Sequence, residues 1–137
     1  MSDSTSSERP AYKGPAYNCV AFTRIAVQDK DRAQAFFEAV FGWNFMKAQP
    51  NFPRIFFTGG EVMGGLHQAS STAANEEQSG SVVNYILVED VDATLTKVVE
   101  AGGKVHKAKF MEGDHSELAE FIDTEGNLHG LLHWVKQ

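Results

Sequence analysis

The side chains able to do acid–base or nucleophilic chemistry are few here: five histidines and one cysteine stand out in 137 residues. Two of the histidines, His129 and His133, are four residues apart in DTEGNLHGLLHW, Asp123 to Trp134. At helical spacing they would share a face, as paired metal ligands do. The stretch reads instead as a turn and then a strand, where residues four apart are separated by about 13 Å. Metal–nitrogen bonds are roughly 2 Å long, so one ion cannot take both. Hydrogen-bonded or partly exposed imidazoles are the expectation for this pair.

His67, in VMGGLHQ, and His115, in MEGDHSE, are the candidates for proton transfer. An imidazole near its ordinary pKa takes and returns protons at neutral pH. His115 falls in a stretch that reads as a loop able to close over a site; a surface histidine is the plainer reading. Arg24, in CVAFTRIAVQD, has two open readings. It anchors a carboxylate, phenolate or enolate of a ligand. Otherwise it ends in an internal ion pair, with Glu120 as one partner, or at an open mouth. Cys19 has no activating neighbour in sequence, which points to a small structural residue rather than a nucleophile.

The elements that must position these groups come in a repeated order. CVAFTRIAVQD is strand-like, and DKDRAQAFFEAVFG has Ala33, Phe36, Phe37, Val40 and Phe41 at helical spacing between an Asp29 or Asp31 N-cap and Gly42. WNFMKA, RIFFT and VMGGLHQ read as short strands. After the small, polar ASSTAANEEQSG, the order returns: SVVNYILVED as strand and VDATLTKVVEAGG as helix, then KVHKAKF, ELAEFID and NLHGLLHWV as strands. The expected organisation is a mobile tail at 1–15, module one at 16–68, a linker at 69–80 and module two at 81–137. Each module is β-α-β-β-β, and the fold class is α+β.

Charge narrows the partners. Twelve basic against 18 acidic residues give a net charge of −6, which repels phosphate backbones and argues against nucleic acid. Lys104, Lys107 and Lys109 read as a solvated edge. No apolar run approaches the roughly 18 residues of a membrane span, and the opening MSDSTSSERP is too polar for a signal peptide. One cysteine allows no intrachain disulfide and fits a reducing, cytoplasmic setting.

The duplicated βαβββ pattern resembles the vicinal oxygen chelate superfamily, the group of glyoxalase I, extradiol dioxygenases and the fosfomycin and bleomycin resistance proteins. IAVQDKDRAQAFFEAVFGWNF is similar to its first strand and helix, YILVEDVDATLTKVVEAGGKV to its second, and FIDTEGNLHGLL to its closing turn and strand. The resemblance covers residues 18 to 135. It implies a curved mixed sheet around a cup, a homodimer, and one divalent metal in the metal-binding members. Counting back from the V-x-D motifs and forward from the closing turn, the ligand positions fall at Phe22, Val83 and Gly130, with the fourth at Gly64 or Gly65. None of these side chains offers an electron pair, so no metal and no other cofactor is expected.

Strand alternation turns one set of side chains into the cup: Phe22, Arg24, Met63, Gly65 and His67 from module one, and Tyr85, Leu128, Gly130 and Trp134 from module two. Apolar walls with few polar anchors suit a small-molecule site. The expected function is binding of a small aromatic or carbonyl compound, with a metal-independent lyase or isomerase step run by Arg24 and His67 or His115. Two alternatives stand beside it: a non-catalytic, resistance-type binder, and a metal-dependent glyoxalase or dioxygenase with atypical ligands.

Overall fold

The computed structural model describes residues 16–18, 20–69 and 82–135. Cys19, the tail at 1–15 and nearly all of the linker lie outside the described residues. Module one contains β1 (Phe22–Val27), α1 (Lys30–Phe41), β2 (Asn44–Phe45), β3 (Arg54–Phe57) and β4 (Met63–Gln68). Module two contains β5 (Tyr85–Leu87), α2 (Val91–Glu100), β6 (Lys104–Glu112), β7 (Ser116–Ile122) and β8 (Leu128–Trp134). The fold is α+β, built from two βαβββ modules. Each forms a four-stranded mixed sheet, in the orders β1-β4-β3-β2 and β5-β8-β7-β6. In both, the first strand pairs parallel with the last and the remaining pairs are antiparallel.

The helices start and stop where their chemistry says. Asp29 caps α1 by accepting from the Arg32 N–H at 3.0 Å, and Gly42 ends it at φ 68°, donating to the Glu38 carbonyl. Ala33, Phe36, Phe37 and Val40 are its buried face. Asp90 caps α2 through the Ala93 N–H at 2.9 Å, and Val91, Leu95 and Val98 are buried.

One aromatic run joins the two sheets. Phe56 of β3 stacks on Trp43 (centroids 4.7 Å apart), Trp43 on Phe37 of α1 (4.8 Å), Phe37 meets the edge of His129 of β8 (5.5 Å), and His129 stacks on Phe121 of β7 (5.0 Å). Both sheets therefore turn one face to a shared core, and their other faces point outward. The DTEGN turn locks module two to the end of β1. Asp123 Oδ1 accepts the Glu125 and Asn127 N–H groups at 2.8 and 2.9 Å, and Asn127 Nδ2 donates to the Ala26 carbonyl at 2.6 Å. Glu125, its side chain wholly buried, accepts the Gln28 and Asp29 N–H groups at 2.9 and 3.0 Å and pairs with Arg32 at 2.6 Å.

Two expectations change in detail. The strand expected over residues 81–90 shortens to Tyr85–Leu87, an edge strand hydrogen-bonded to β8 alone. MEGDHSE is not a lid-like loop: β6 runs to Glu112, β7 begins at Ser116, and Gly113 at φ 65° lets the chain reverse within the three residues between. The lysines of β6 form an exposed edge, where Lys109 pairs with Asp92 at 3.1 Å and the Lys107 ammonium sits over the Phe110 ring.

The two adjacent glycines of β4 separate by strand parity. Gly64 faces the core, where a Cβ would come within 2.5 Å of the Thr23 carbonyl oxygen and collide with the Phe56 ring. Gly65 faces outward, where a Cβ would meet only side-chain atoms, at 3.2 to 3.4 Å. Gly64→Ala is expected to cost about 1–3 kcal/mol by overpacking against fixed backbone. Gly65→Ala should cost clearly less. Urea denaturation of both variants checks the register, because a one-residue slip reverses the ranking.

Candidate functional site

The expected parity of the cup residues is the one observed. Phe22, Arg24 and Ala26 of β1 stand beside Met63, Gly65 and His67 of β4, in register, on the outward face of module one. Ile55 of β3, opposite Gly65, joins them. A Cβ built on Gly65 would lie 3.2 Å from Phe22 Cζ, 3.3 Å from His67 Nε2 and 3.4 Å from Ile55 Cδ1. The three side chains thus converge over the glycine, which keeps a floor under them. Arg24 is exposed and makes no ion pair or hydrogen bond among the described residues, so the internal-pair reading with Glu120 does not hold. Glu120 instead lies 3.8 Å from His106. Burial, then the charges of Arg24 and Lys30, push the His67 imidazole below its ordinary 6.5. It is therefore the neutral, proton-accepting form that stands beside the guanidinium at pH 7.

On module two, Tyr85 pairs with Gly130, and Leu87 with Leu132, on the outward face that also carries Leu128 and Trp134. The Tyr85 ring lies flat over Gly130: a Cβ there would come within 2.5 Å of Cε2. The pairing of β7 with β8 runs unbroken through Gly130, opposite Glu120, so the glycine marks close approach of a ring and not a bulge. Burial, then the carboxylates of Glu120 and Glu112, raise the Tyr85 phenol above its ordinary 10.0. Phe22, Tyr85, Leu87 and Trp134 are 45, 44, 59 and 46% exposed, far above what large apolar side chains of a finished core show. No ring contact or hydrogen bond joins the module-one group to the module-two group among the described residues.

His115 lies at the end of the module-two sheet, where its carbonyl accepts the Val135 N–H at 2.8 Å. It sits at the β6–β7 turn, exposed, with Nδ1 2.7 Å from Asp114 Oδ1. His129 and His133 face the core side, as expected. His129 Nε2 lies 2.8 Å from Asp123 Oδ2, and His133 Nδ1 lies 3.0 Å from the Val88 carbonyl oxygen.

The metal positions implied by the resemblance do not fit an ion. Phe22 and Gly65 occupy them on the module-one face. On the module-two face the space at Gly130 is taken by the Tyr85 ring. Among the described residues no three His, Cys, Asp or Glu side chains converge as a ligand set. No helix among them is long and apolar enough to cross a membrane.

Sequence reasoning missed one feature. The edges of β1 and β5 flank a cleft of about 550 Å³, floored by Phe41, Trp43 and His129 and spanned by a 2.9 Å hydrogen bond from Asn84 Nδ2 to Thr23 Oγ1. Thr23, Asn84 and His129 are each one position away from an implied metal-ligand position. The signal was a one-residue shift in register, forward at Thr23 and Asn84 and backward at His129.

Known proteins share this fold. The profile of the Glyoxalase/Bleomycin resistance protein/Dioxygenase superfamily matches residues 19–130. A glyoxylase-like domain-containing protein of Didymella fabae is 30% identical over 113 residues, covering 78% of this chain and 87% of that protein. Among solved structures, a glyoxalase/bleomycin resistance protein/dioxygenase family enzyme from Burkholderia phytofirmans PsJN superposes with a TM-score of 0.69 at 20% identity, over 82% of this chain and 96% of that one. A fosfomycin resistance protein, FosX, from Listeria monocytogenes, solved as a mutant complexed with Mn(II) and 1S,2S-dihydroxypropylphosphonic acid, reaches 0.69 at 13% identity, over 85% and 90%. With its paired βαβββ modules and its closing turn in place, the chain belongs to the Glyoxalase/Bleomycin resistance protein/Dioxygenase superfamily.

Proposed function

We propose that this chain binds a small aromatic or carbonyl compound in an apolar cup, and that the cup is completed by a second copy of the chain. The observation that carries this is the outward group around Gly65: one guanidinium without an ion pair among the described residues, one imidazole whose pKa is pushed below its ordinary value and one aromatic ring, with a matching apolar face around Gly130 on the other sheet. Among the described residues each face leaves large apolar side chains exposed. A dimer that brings the module-one face of one copy against the module-two face of the other buries both.

Within that cup Arg24 and His67 support a metal-independent lyase or isomerase step. His67 takes a proton from the carbon beside a carbonyl, and the electron pair moves to the carbonyl oxygen. Arg24 holds the resulting enolate by charge-assisted hydrogen bonds. An isomerase returns the proton to a neighbouring carbon; a lyase uses the same electron pair to expel a leaving group. His115, exposed on its turn and bonded to Asp114, takes no part unless the second copy brings it to the cup. The side chains at the implied ligand positions, Phe22, Gly65, Val83 and Gly130, carry no donor atoms for a metal.

Deuterium uptake from heavy water at the carbon next to the carbonyl, followed by proton NMR across a panel of 2-keto acids and aryl ketones, tests the enzyme reading. At least one compound should exchange faster with the protein than without it. The acceleration should vanish in His67→Gln and in Arg24→Ala. Since His67 titrates below its ordinary value, exchange should hold level at neutral pH and fall as His67 is protonated at acid pH. Saturable binding with no exchange would move the protein to the sequestering, resistance-type reading, which the apolar walls also favour.

A further inference from the structure

We propose that the cleft between β1 and β5, which shares Tyr85 and Leu87 with the module-two face but no residue with the Arg24 face, is a second small-molecule site for a small neutral aromatic carrying one hydroxyl or N–H donor. His129 is its polar anchor. The imidazole is 4% exposed, and its Nε2 faces Asp123 Oδ2 at 2.8 Å. The other oxygen of that carboxylate already accepts two backbone N–H groups, and its side chain is wholly buried. A carboxylate can only accept, so Nε2 carries a hydrogen, and in the neutral imidazole the lone pair is then on Nδ1. No described residue donates to Nδ1. The ring is gripped by its neighbours: stacked on Phe121 and edge-on to Phe37, with centroids 5.0 and 5.5 Å away. It is thus a fixed acceptor at the floor of a cleft, and a buried acceptor without a donor is costly.

The cleft itself defines the rest of the ligand. Its volume of about 550 Å³ lies in the range of small-molecule sites. Ile25, Ile86, Phe41 and Trp43 give it apolar and aromatic walls. Trp43 contributes an edge, since Phe37 and Phe56 cover its two faces at 4.8 and 4.7 Å. No Lys, Arg, Asp or Glu lines the cleft among the described residues, so neither an anion nor a cation finds its counter-charge there. That separates this site from the Arg24 face, which suits anions. Thr23 and Asn84, already hydrogen-bonded to each other across the seam, tie the two walls together.

The test is an NMR titration of the full chain with phenol, and with toluene as the same ring without a donor. Phenol should move the Ile25 and Ile86 methyl signals and the Trp43 indole N–H saturably, and should bind roughly fivefold tighter than toluene, the effect of one hydrogen bond. The nitrogen-15 signal of His129 Nδ1 should shift with phenol and stay with toluene. In His129→Phe, which keeps the ring stack, phenol should fall to the affinity of toluene. If that variant does not fold, the wild-type nitrogen signal decides alone. Three outcomes overturn the proposal: no saturable shift, equal affinities with an unmoved His129 nitrogen (an apolar hole or ordered water only), or shifts confined to Phe22, Arg24 and His67.

Discussion

Replacing Glu125 by alanine is expected to cost the fold about 3 kcal/mol, or roughly 10 °C in melting temperature. Glu125 looks like an ordinary acidic turn residue, yet its carboxylate is buried and accepts from the Gln28 and Asp29 N–H groups, from Arg32 and from Thr124. Those partners are the end of β1 and the start of α1, so one side chain of module two closes the N-terminus of a helix in module one. Alanine strands two backbone donors there, each worth about 1–3 kcal/mol when left unpaired. Arg32 loses a partner but is half exposed and regains water. Glu125→Gln, which keeps an acceptor oxygen, should lose less. The same carboxylate predicts acid sensitivity. Burial pushes its pKa up, but the hydrogen bonds from Arg32, Gln28 and Asp29 outweigh that and leave it below its ordinary 4.5. A depressed folded pKa means the stabilisation is complete above the unfolded value and is lost as pH falls through the folded one. Wild type should therefore lose stability below about pH 4.5, and Glu125→Gln should lose less of it over that window.

Arg24→Ala is expected to do the opposite: to leave the melting temperature nearly unchanged and weaken binding of an anionic ligand by about 1.5–3 kcal/mol. The exposure of Arg24 and its lack of an ion pair among the described residues remove the structural cost that a buried pair would carry. Arg24→Lys should recover part of the affinity, since an ammonium cannot reproduce the planar fork. Thermal melts and titrations of both variants with benzoate and its neutral analogue benzamide separate the two roles. A large drop in melting temperature with unchanged benzoate affinity would sink the anchor. Weakening of benzamide as much as benzoate would show that charge is not what Arg24 supplies.

The legibility of this chain divides along physical lines. Periodicity and capping gave both helices almost to the residue, because Asp29, Gly42 and Asp90 act through local backbone geometry. Strand parity grouped Phe22, Arg24, Gly65 and His67 on one face of the first sheet and Tyr85 and Gly130 on one face of the second, because alternation survives any small error in strand ends. What could not be read was long-range pairing. Glu125 meets Gln28 across 97 residues, and nothing in TEG announces it. His129 looked like an incidental strand residue, and its bond to Asp123 depends on how tightly the turn folds back. The loop expected around His115 failed for a simpler reason: Gly113 at φ 65° lets a seven-residue polar stretch collapse into a hairpin. That these residues lie on two separate outward faces was also beyond the pattern, since it rests on aromatic stacking between sheets.

The proposed cup is complete only when two chains meet. Light scattering on the full chain at micromolar concentration tests it most directly. The account predicts a particle of twice the 15.1 kDa chain mass, and a shift toward the single-chain mass when charge is placed on the apolar faces, as in Phe22→Glu or Trp134→Glu. A wild-type particle of 15.1 kDa would contradict it, and would leave Arg24 and Tyr85 on two unrelated surfaces.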